Sequence, residues 1–358
     1  MKKNVTLNDV ARLANVSKQT VSRALNNPDI VSHRTKEKIL KSIKTLHYVP
    51  SNPTQLLSEN SLCTIGVITT SLSFQAPSAI IVSIQTHAIN KGLQTFIIML
   101  EKQDYCTLQI ALNELQSRNI KGVIINLPLE SAVAERLVNE NPEISCIFLD
   151  VSPETDVSFV CFDFRKGCSE CIQYLWHEGH RHFGLLAGPK HSISARLRLY
   201  SWRDTLHQLG CSNAVTVFGD WGVNSGYMRT FELLKLKPDI SAIVVGNDQM
   251  ALGVLSALKY LNRTGDKSIS VTGYDNTEGS QYYCPSLTTV FHDFHLLGEK
   301  AISLLMKQME TPDKRYFELL PVKLIIRQST RAINEDKTDL SIIKLRTLLQ
   351  QALDVLDK

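Results

Sequence analysis

The stretch from Thr6 to Arg23, TLNDVARLANVSKQTVSR, constrains this chain more than any other. Thr6 followed by Asp9 has the form of a capping box, in which the two side chains satisfy the free N–H groups of a helix start. Leu7, Val10, Ala11 and Ala14 then fall at helical spacing and give one apolar stripe. Asn15 breaks the run and tolerates the left-handed conformation that ends a helix. Val16 turns back toward the core. Ser17 is a second N-cap, for a helix running to about Asn26. Val21, Ala24 and Leu25 face inward on it. Lys18, Gln19, Thr20, Ser22 and Arg23 stay outside, all hydrogen-bonding and none acidic. A helix lying in a DNA major groove needs such a first turn. An ordinary helical hairpin with a solvated face has the same spacing, so charge has to decide between them.

Residues 1–50 hold ten Lys or Arg against three Asp or Glu, a balance of +7. The whole chain is +4, so the rest sums to −3. Positive charge concentrated in one short segment on a near-neutral body is the footprint of a nucleic-acid module. A third helix, Ser32 to Leu46, is expected, with Ser32 or Thr35 as its cap, Ile39, Ile43 and Leu46 inward, and a lysine-rich outer face. Tyr48-Val49-Pro50 ends it, because proline pushes the residue before it out of helix.

The run TLNDVARLANVSKQTVSRALNN, with VSHRTKEKI and HYVP after it, resembles the DNA-binding headpiece of the lac repressor family of bacterial transcription regulators. The resemblance implies a helix-turn-helix headpiece over 1–50, with double-stranded operator DNA as partner. Its DNA-facing residues would be Thr6, Ser17, Lys18, Gln19, Thr20, Ser22, Arg23 and Asn26. It further implies a hinge at 51–62, SNPTQLLSENSL, that becomes helical on DNA and wedges a leucine, here Leu57, into the minor groove. The family pattern Asn-x-x-Ala-x-x-Leu appears here as Ser51, Thr54 and Leu57. Pro53 lies between them, in a first turn where proline is tolerated.

At 358 residues the chain suits two or three units. No apolar stretch follows the N-terminal lysines, and no run reaches membrane-spanning length, so a cytoplasmic, nucleoid-associated protein is expected. Eight cysteines are scattered rather than framed, which reads as buried thiols in a reducing compartment.

From Cys63 onward, apolar runs alternate with helical stretches: TIGVIT, TFIIM, GVIINLP, CIFLDV, FGLLAG, AIVVGND and ISVTGYD. That pattern indicates parallel sheets covered on both faces, with length enough for two lobes. Ligands in such sheets sit beyond the carboxyl ends of strands. Asn126, Asp150, Asn247, Asp248 and Asp275 stand at those ends. Any one of them can be a helix cap, and Asp248 is the leading case. Four or five on one edge, with Arg198 and Trp221 added, form a carbohydrate-binding set: carboxylates, amide and guanidinium for hydroxyls, an indole for a sugar face.

This body also resembles the periplasmic-binding-protein type of effector domain found in the same family. Matching motifs place the family's effector pocket on Phe74, Ala76, Pro77, Ile80, Asn126, Asp150, Phe162, Ser192, Ser194, Arg198, Trp221, Asn247, Asp275, Phe294 and Leu297. The implied ligand is a small sugar, a galactoside foremost; another sugar or a corepressor is the alternative within the family. The resemblance also implies dimer contacts near Leu252, Tyr282 and Tyr283. After a 331–339 linker, Ile342, Leu345, Leu349 and Leu356 repeat at heptad spacing in a 340–358 helix. Most of the family lacks such a tail; resemblance to a member that carries one implies a tetramerisation element joining two dimers, while an amphipathic helix folded onto the body has the same spacing.

The fold expected is therefore an all-α helix-turn-helix headpiece, an α/β two-lobed periplasmic-binding-protein-like domain at 63–330, and a C-terminal oligomerisation helix. Function follows as a homodimeric repressor, or a dimer of dimers, whose operator affinity a sugar lowers by shifting the lobe equilibrium. No enzyme, cofactor or metal is expected. Cys168-x-x-Cys171 with His177, His180 and His182 lacks a second set of zinc ligands. Asp150 and Asp275 could form a glycosidase-type pair, yet they match hydroxyl-binding positions. A transport component is disfavoured by the headpiece.

Overall fold

The structure, a computed structural model, describes residues 5–26, 31–46, 48, 63–101, 104–263 and 268–333. The hinge with Leu57, residues 334–339 of the linker and the C-terminal helix with Ile342, Leu345, Leu349 and Leu356 lie outside the described residues. The chain divides into two compact units, an N-terminal helical one and a larger one containing the sheets.

The N-terminal unit holds α1 (Leu7–Ala14), α2 (Lys18–Asn26) and α3 (His33–Leu46). The Asp9 carboxylate accepts hydrogen bonds from the Thr6 amide at 2.9 Å and its hydroxyl at 2.7 Å, the expected cap. Asn15 sits at φ 55°, ψ 49°, and the Val16 amide closes back onto the Ala11 carbonyl at 3.0 Å. Ser17 Oγ accepts from the Thr20 amide at 3.0 Å. The helices bury Val10, Ala11, Ala14, Val21, Ala24, Leu25, Ile39 and Ile43 together, with Leu7, Val16 and Leu46 half-buried around them. So small a core leaves little margin; each buried branched side chain contributes roughly 1.5–3 kcal/mol.

The larger unit contains two parallel sheets. The first orders its strands β11-β5-β4-β3-β1-β2: β1 (Thr64–Thr69), β2 (Gln94–Met99), β3 (Gly122–Asn126), β4 (Ser145–Phe148), β5 (Phe159–Phe162) and β11 (Phe317–Leu320). Helices α4 (Gln75–Asn90), α5 (Tyr105–Ser117), α6 (Ser131–Glu140) and α11 (Phe294–Glu310) belong to this lobe. The second sheet orders β7 (Val215–Phe218), β6 (Phe183–Ala187), β8 (Ala242–Val245) and β9 (Ser270–Thr272). It carries α7 (Phe164–His177), α8 (Ile193–Gln208), α9 (Val223–Leu236) and α10 (Asp248–Tyr260). A short antiparallel pair, β10 (Thr289–Phe291) with β12 (Lys323–Ile325), packs on α7. The chain passes between lobes from β5 to α7, from β10 to α11 and from β11 to β12.

Every strand expected from the apolar runs is present. Strands β5, β7, β10, β11 and β12 are not among those expectations. They have three or four residues each: β5 is a brief apolar stretch, Phe159–Phe162, whereas β11 sets exposed Phe317 and Leu319 on either side of half-buried Glu318 before buried Leu320. Several cores result. One gathers Ile68, Leu112, Ile125, Leu137 and Phe148 beneath α5 and α6. Another packs Trp202, Tyr274, Leu185 and Val244 around Cys168 and Cys171. Helices α9 and α10 meet at Gly226 and Gly253. A Cβ on Gly226 would lie 2.0 Å from the Met250 carbonyl oxygen, and one on Gly253 2.1 Å from that of Val223.

Candidate functional site

Parallel packing aligns the carboxyl ends of the strands, and register fixes which residues stand there. Thr69 pairs with Asn126 across β1 and β3, and the Asn126 Nδ2 donates to Thr69 Oγ1 at 3.1 Å. In the second lobe β6, β8 and β9 run parallel, so the loops carrying Asn247 and Asp275 emerge on one edge. Between the two edges lies a cavity of about 420 Å³. Phe74, Ala76, Pro77, Ile80, Asn126, Asp150, Phe162, Ser192, Ser194, Arg198, Trp221, Asn247, Asp275, Phe294 and Leu297 all line it.

The polar groups converge on Arg198. Its Nη1 donates to the Gly246 carbonyl, its Nη2 lies 3.6 Å from Asp275 Oδ1, and the guanidinium rests 3.9 Å over the Tyr274 ring. Its Nε is buried with no partner among the described residues. Burial pushes the Asp275 carboxyl up to about 7, against the pull of Arg198. Burial likewise raises Asp150 to about 6, while Arg198 and a hydrogen bond from Ser194 pull it down. Both carboxylates are thus dehydrated acceptors, able to take hydroxyl protons in place of water.

Backbone geometry aims these groups. Asp275 has φ 107°, a region in which side chains are strained, and its amide donates to the Val290 carbonyl at 3.0 Å. Trp221 has φ 74°. Its indole lies against Gly188, where a Cβ would come within 2.3 Å of the ring. The Asn247 Oδ1 accepts from the Met250 amide at 2.9 Å and its Nδ2 donates to the Trp221 carbonyl at 3.0 Å. Asn247, not Asp248, is therefore the cap of α10. Asp248 is buried in that helix's first turn. It accepts from the Thr277 amide and hydroxyl at 2.7 and 3.1 Å and from the Thr289 hydroxyl at 2.6 Å. Its role is to brace the loop behind Asp275.

Several lining residues carried no sequence signal. His292 is buried, stacks on Phe162 at 4.1 Å, and places Nδ1 3.6 Å from Asp275 Oδ1. Burial, reinforced by Arg198, drives its pKa well down, so the ring is neutral. Gln249 also faces the cavity and accepts the Gln75 amide from the other lobe at 3.3 Å. Arg196 and Glu130 form a second link across the lobes. A lone histidine after a short strand and a glutamine inside a helix start resemble ordinary surface positions when read in one dimension.

The cysteine and histidine cluster near 168–182 is structural. Cys168 and Cys171 are buried on α7, and burial raises both thiols, Cys168 to about 12. His180 is buried with its ring nitrogens 3.0 Å from Ser241 Oγ and 3.0 Å from the Arg331 carbonyl.

In the helical unit, Thr6, Ser17, Lys18, Gln19 and Arg23 are exposed, while Thr20 and Ser22 are half-buried. Asn26 ends α2. Leu252 and Tyr283 are half-buried and Tyr282 is exposed. Among the described residues no helix is long and apolar enough to cross a membrane.

Comparison with known proteins agrees with this geometry. Residues 6–51 match the family described as bacterial regulatory proteins, lacI family, and residues 172–330 match the periplasmic binding protein-like domain. The lactose operon repressor of Klebsiella pneumoniae is 51% identical over 98% of this chain and 99% of its own length. That of Escherichia coli K12 is 36% identical over 93% of this chain and 92% of its own. A crystal structure of the lac repressor dimer bound to operator and the anti-inducer ONPF superimposes with a TM-score of 0.80 at 36% identity, covering 92% of this chain and 100% of that one. The chain belongs to the lacI family of bacterial regulatory proteins, as a sugar-responsive DNA-binding repressor.

Proposed function

We propose that this repressor answers to a galactoside, which enters the cavity between the lobes and releases the protein from its operator. The observation that carries this reading is the convergence of Asp150, Arg198, Asn247 and Asp275 around one cavity whose apolar walls are Trp221, Phe162 and Phe294. Such a wall orients a sugar ring by stacking, and the polar set reads its hydroxyls. The likeness to lactose operon repressors supports the galactoside over other sugars.

Lys18, Gln19 and Arg23 are the proposed base readers, because they are exposed on α2, the first two in its first turn and Arg23 in its last. Thr6, Ser17, Thr20, Ser22 and Asn26 support them at the backbone, and Leu57 is the proposed minor-groove wedge. A two-fold dimer through Leu252, Tyr282 and Tyr283 pairs the headpieces on a pseudo-palindromic operator. The C-terminal heptads would join two dimers. Action on DNA places the protein in the cytoplasm.

The protein binds the sugar and does not cleave it. Asp275 faces Arg198 and His292, an arrangement that fixes a hydroxyl rather than activating water. Titrating the protein with β-galactosides, β-glucosides and ribose while following tryptophan fluorescence, with Trp221→Phe as the control that removes the cavity indole, tests the assignment. A galactoside should quench with an affinity at least tenfold above the others, and chromogenic galactosides should not turn over. A glucoside or ribose preferred over every galactoside would remove it.

A further inference from the structure

Helices α4 and α11 of the first lobe pack unusually close. A Cβ on Gly298 would lie 2.2 Å from Ser83 Oγ and 2.8 Å from the Ile84 amide nitrogen, so only glycine permits the approach. Ser83 Oγ donates to the His295 carbonyl at 3.0 Å across the same seam. One turn along α4 from Ser83 stands His87, and its ring meets His295 edge to face at 4.5 Å. Glu299 follows His295 at i+4, on the same face of α11. One nitrogen from each histidine and one Glu299 oxygen lie within 4.8 Å of one another. His87 Nε2 is buried and has no hydrogen-bond partner among the described residues.

We propose that His87, His295 and Glu299 form a binding site for a divalent transition metal of the zinc class, tying α4 to α11. Two imidazoles and a carboxylate are the donor set that suits zinc, cobalt or nickel rather than calcium or magnesium. Ligand atoms about 2.0–2.2 Å from such an ion stand roughly 3.3 Å apart in a tetrahedron. The present spacing therefore needs to close by about an ångström or more. His295 and Glu299 are exposed and free to make that movement, while the seam at Gly298 holds the two helices in place. A fourth position stays open to water.

Both helices reach the effector cavity. Ala76, Pro77 and Ile80 lie on α4, and Phe294 and Leu297 flank His295 on α11. An ion bridging them would stiffen the first lobe's wall of the cavity. Binding only the folded chain, it would also raise thermal stability with metal concentration.

The full chain, stripped with chelator, is titrated with cobalt and with zinc, beside His87→Asn, His295→Asn and Glu299→Gln variants. The wild type should bind one metal ion per chain more tightly, by at least tenfold, than either histidine variant. It should also show a visible cobalt band free of thiolate charge transfer and a zinc-dependent rise in melting temperature. His295→Asn, an exposed substitution, should keep the metal-free melting temperature and lose that rise. Equal metal stoichiometry and affinity in wild type and His295→Asn would overturn the proposal. A cobalt spectrum dominated by thiolate ligation in the wild type would do the same.

Discussion

Arg198 Nη2 lies 3.6 Å from Asp275 Oδ1, and both side chains are withdrawn from solvent. The pair sets the polarity of the cavity, because burial raises the Asp275 carboxyl to about 7 and only Arg198 opposes it. A sugar hydroxyl donating to Asp275 favours its charged form. Sugar binding should therefore release a proton near neutral pH, and affinity should increase as pH rises from 6 to 8. Calorimetry in buffers of different ionisation enthalpy would show the released proton. In Asp275→Asn that pH dependence should vanish and affinity should fall at least a hundredfold, with operator binding retained.

His180 supplies a second pH signature, this one in stability. Burial lowers its pKa to about 4, and both ring nitrogens are engaged by Ser241 and the Arg331 carbonyl. The unfolded chain takes up a proton on this residue below about 6.5, and the folded chain only near 4. Its contribution is thus complete above pH 6.5 and lost as pH falls toward 4. The stability difference between wild type and His180→Asn, from urea titrations, should shrink by on the order of 2 kcal/mol across that window.

The α9–α10 seam allows no side chain at Gly226. An alanine there would set its Cβ 2.0 Å from a backbone oxygen, which cannot move aside as a flexible side chain can. Gly226→Ala should destabilise the second lobe by about 3 kcal/mol. The expected result is a lower melting temperature with headpiece helicity preserved. Thr230→Ser, one turn away, should cost far less.

Base readout should separate from phosphate attraction. Gln19→Ala should cost roughly 1–3 kcal/mol on the preferred operator and relax specificity at one or two base pairs. Substituting an exposed lysine of α3, such as Lys41, should instead weaken all duplexes alike and reduce the salt slope. Binding to a randomised duplex pool would distinguish the two.

The headpiece was the most legible part of the chain, because its signals are local. Thr6 with Asp9, Asn15 and Ser17 each act within four residues, and each makes the contact its residue type announces. Long buried strands were legible for the same reason. Strand β11 was not: it gains its place beside β5 only after the chain has crossed the lobes, and its Phe317 and Leu319 face solvent. In the cavity, Asn126, Asp150, Asn247 and Asp275 announced themselves as polar ends of apolar runs. His292 and Gln249 did not, since each becomes a cavity residue only through the other lobe's approach. Asp248 shows the limit of position alone, because it neighbours the cap and yet is a buried brace.

Coupling of the cavity to the DNA-reading helix is proposed to run through a population shift between lobe arrangements. The most direct test is fluorescence-anisotropy titration of a selected operator duplex at fixed salt, with and without a saturating β-galactoside, for wild type and Asp275→Asn. The galactoside should weaken operator binding of the wild type at least tenfold and leave the variant on DNA. A galactoside that saturates the cavity while operator affinity stays unchanged would contradict it.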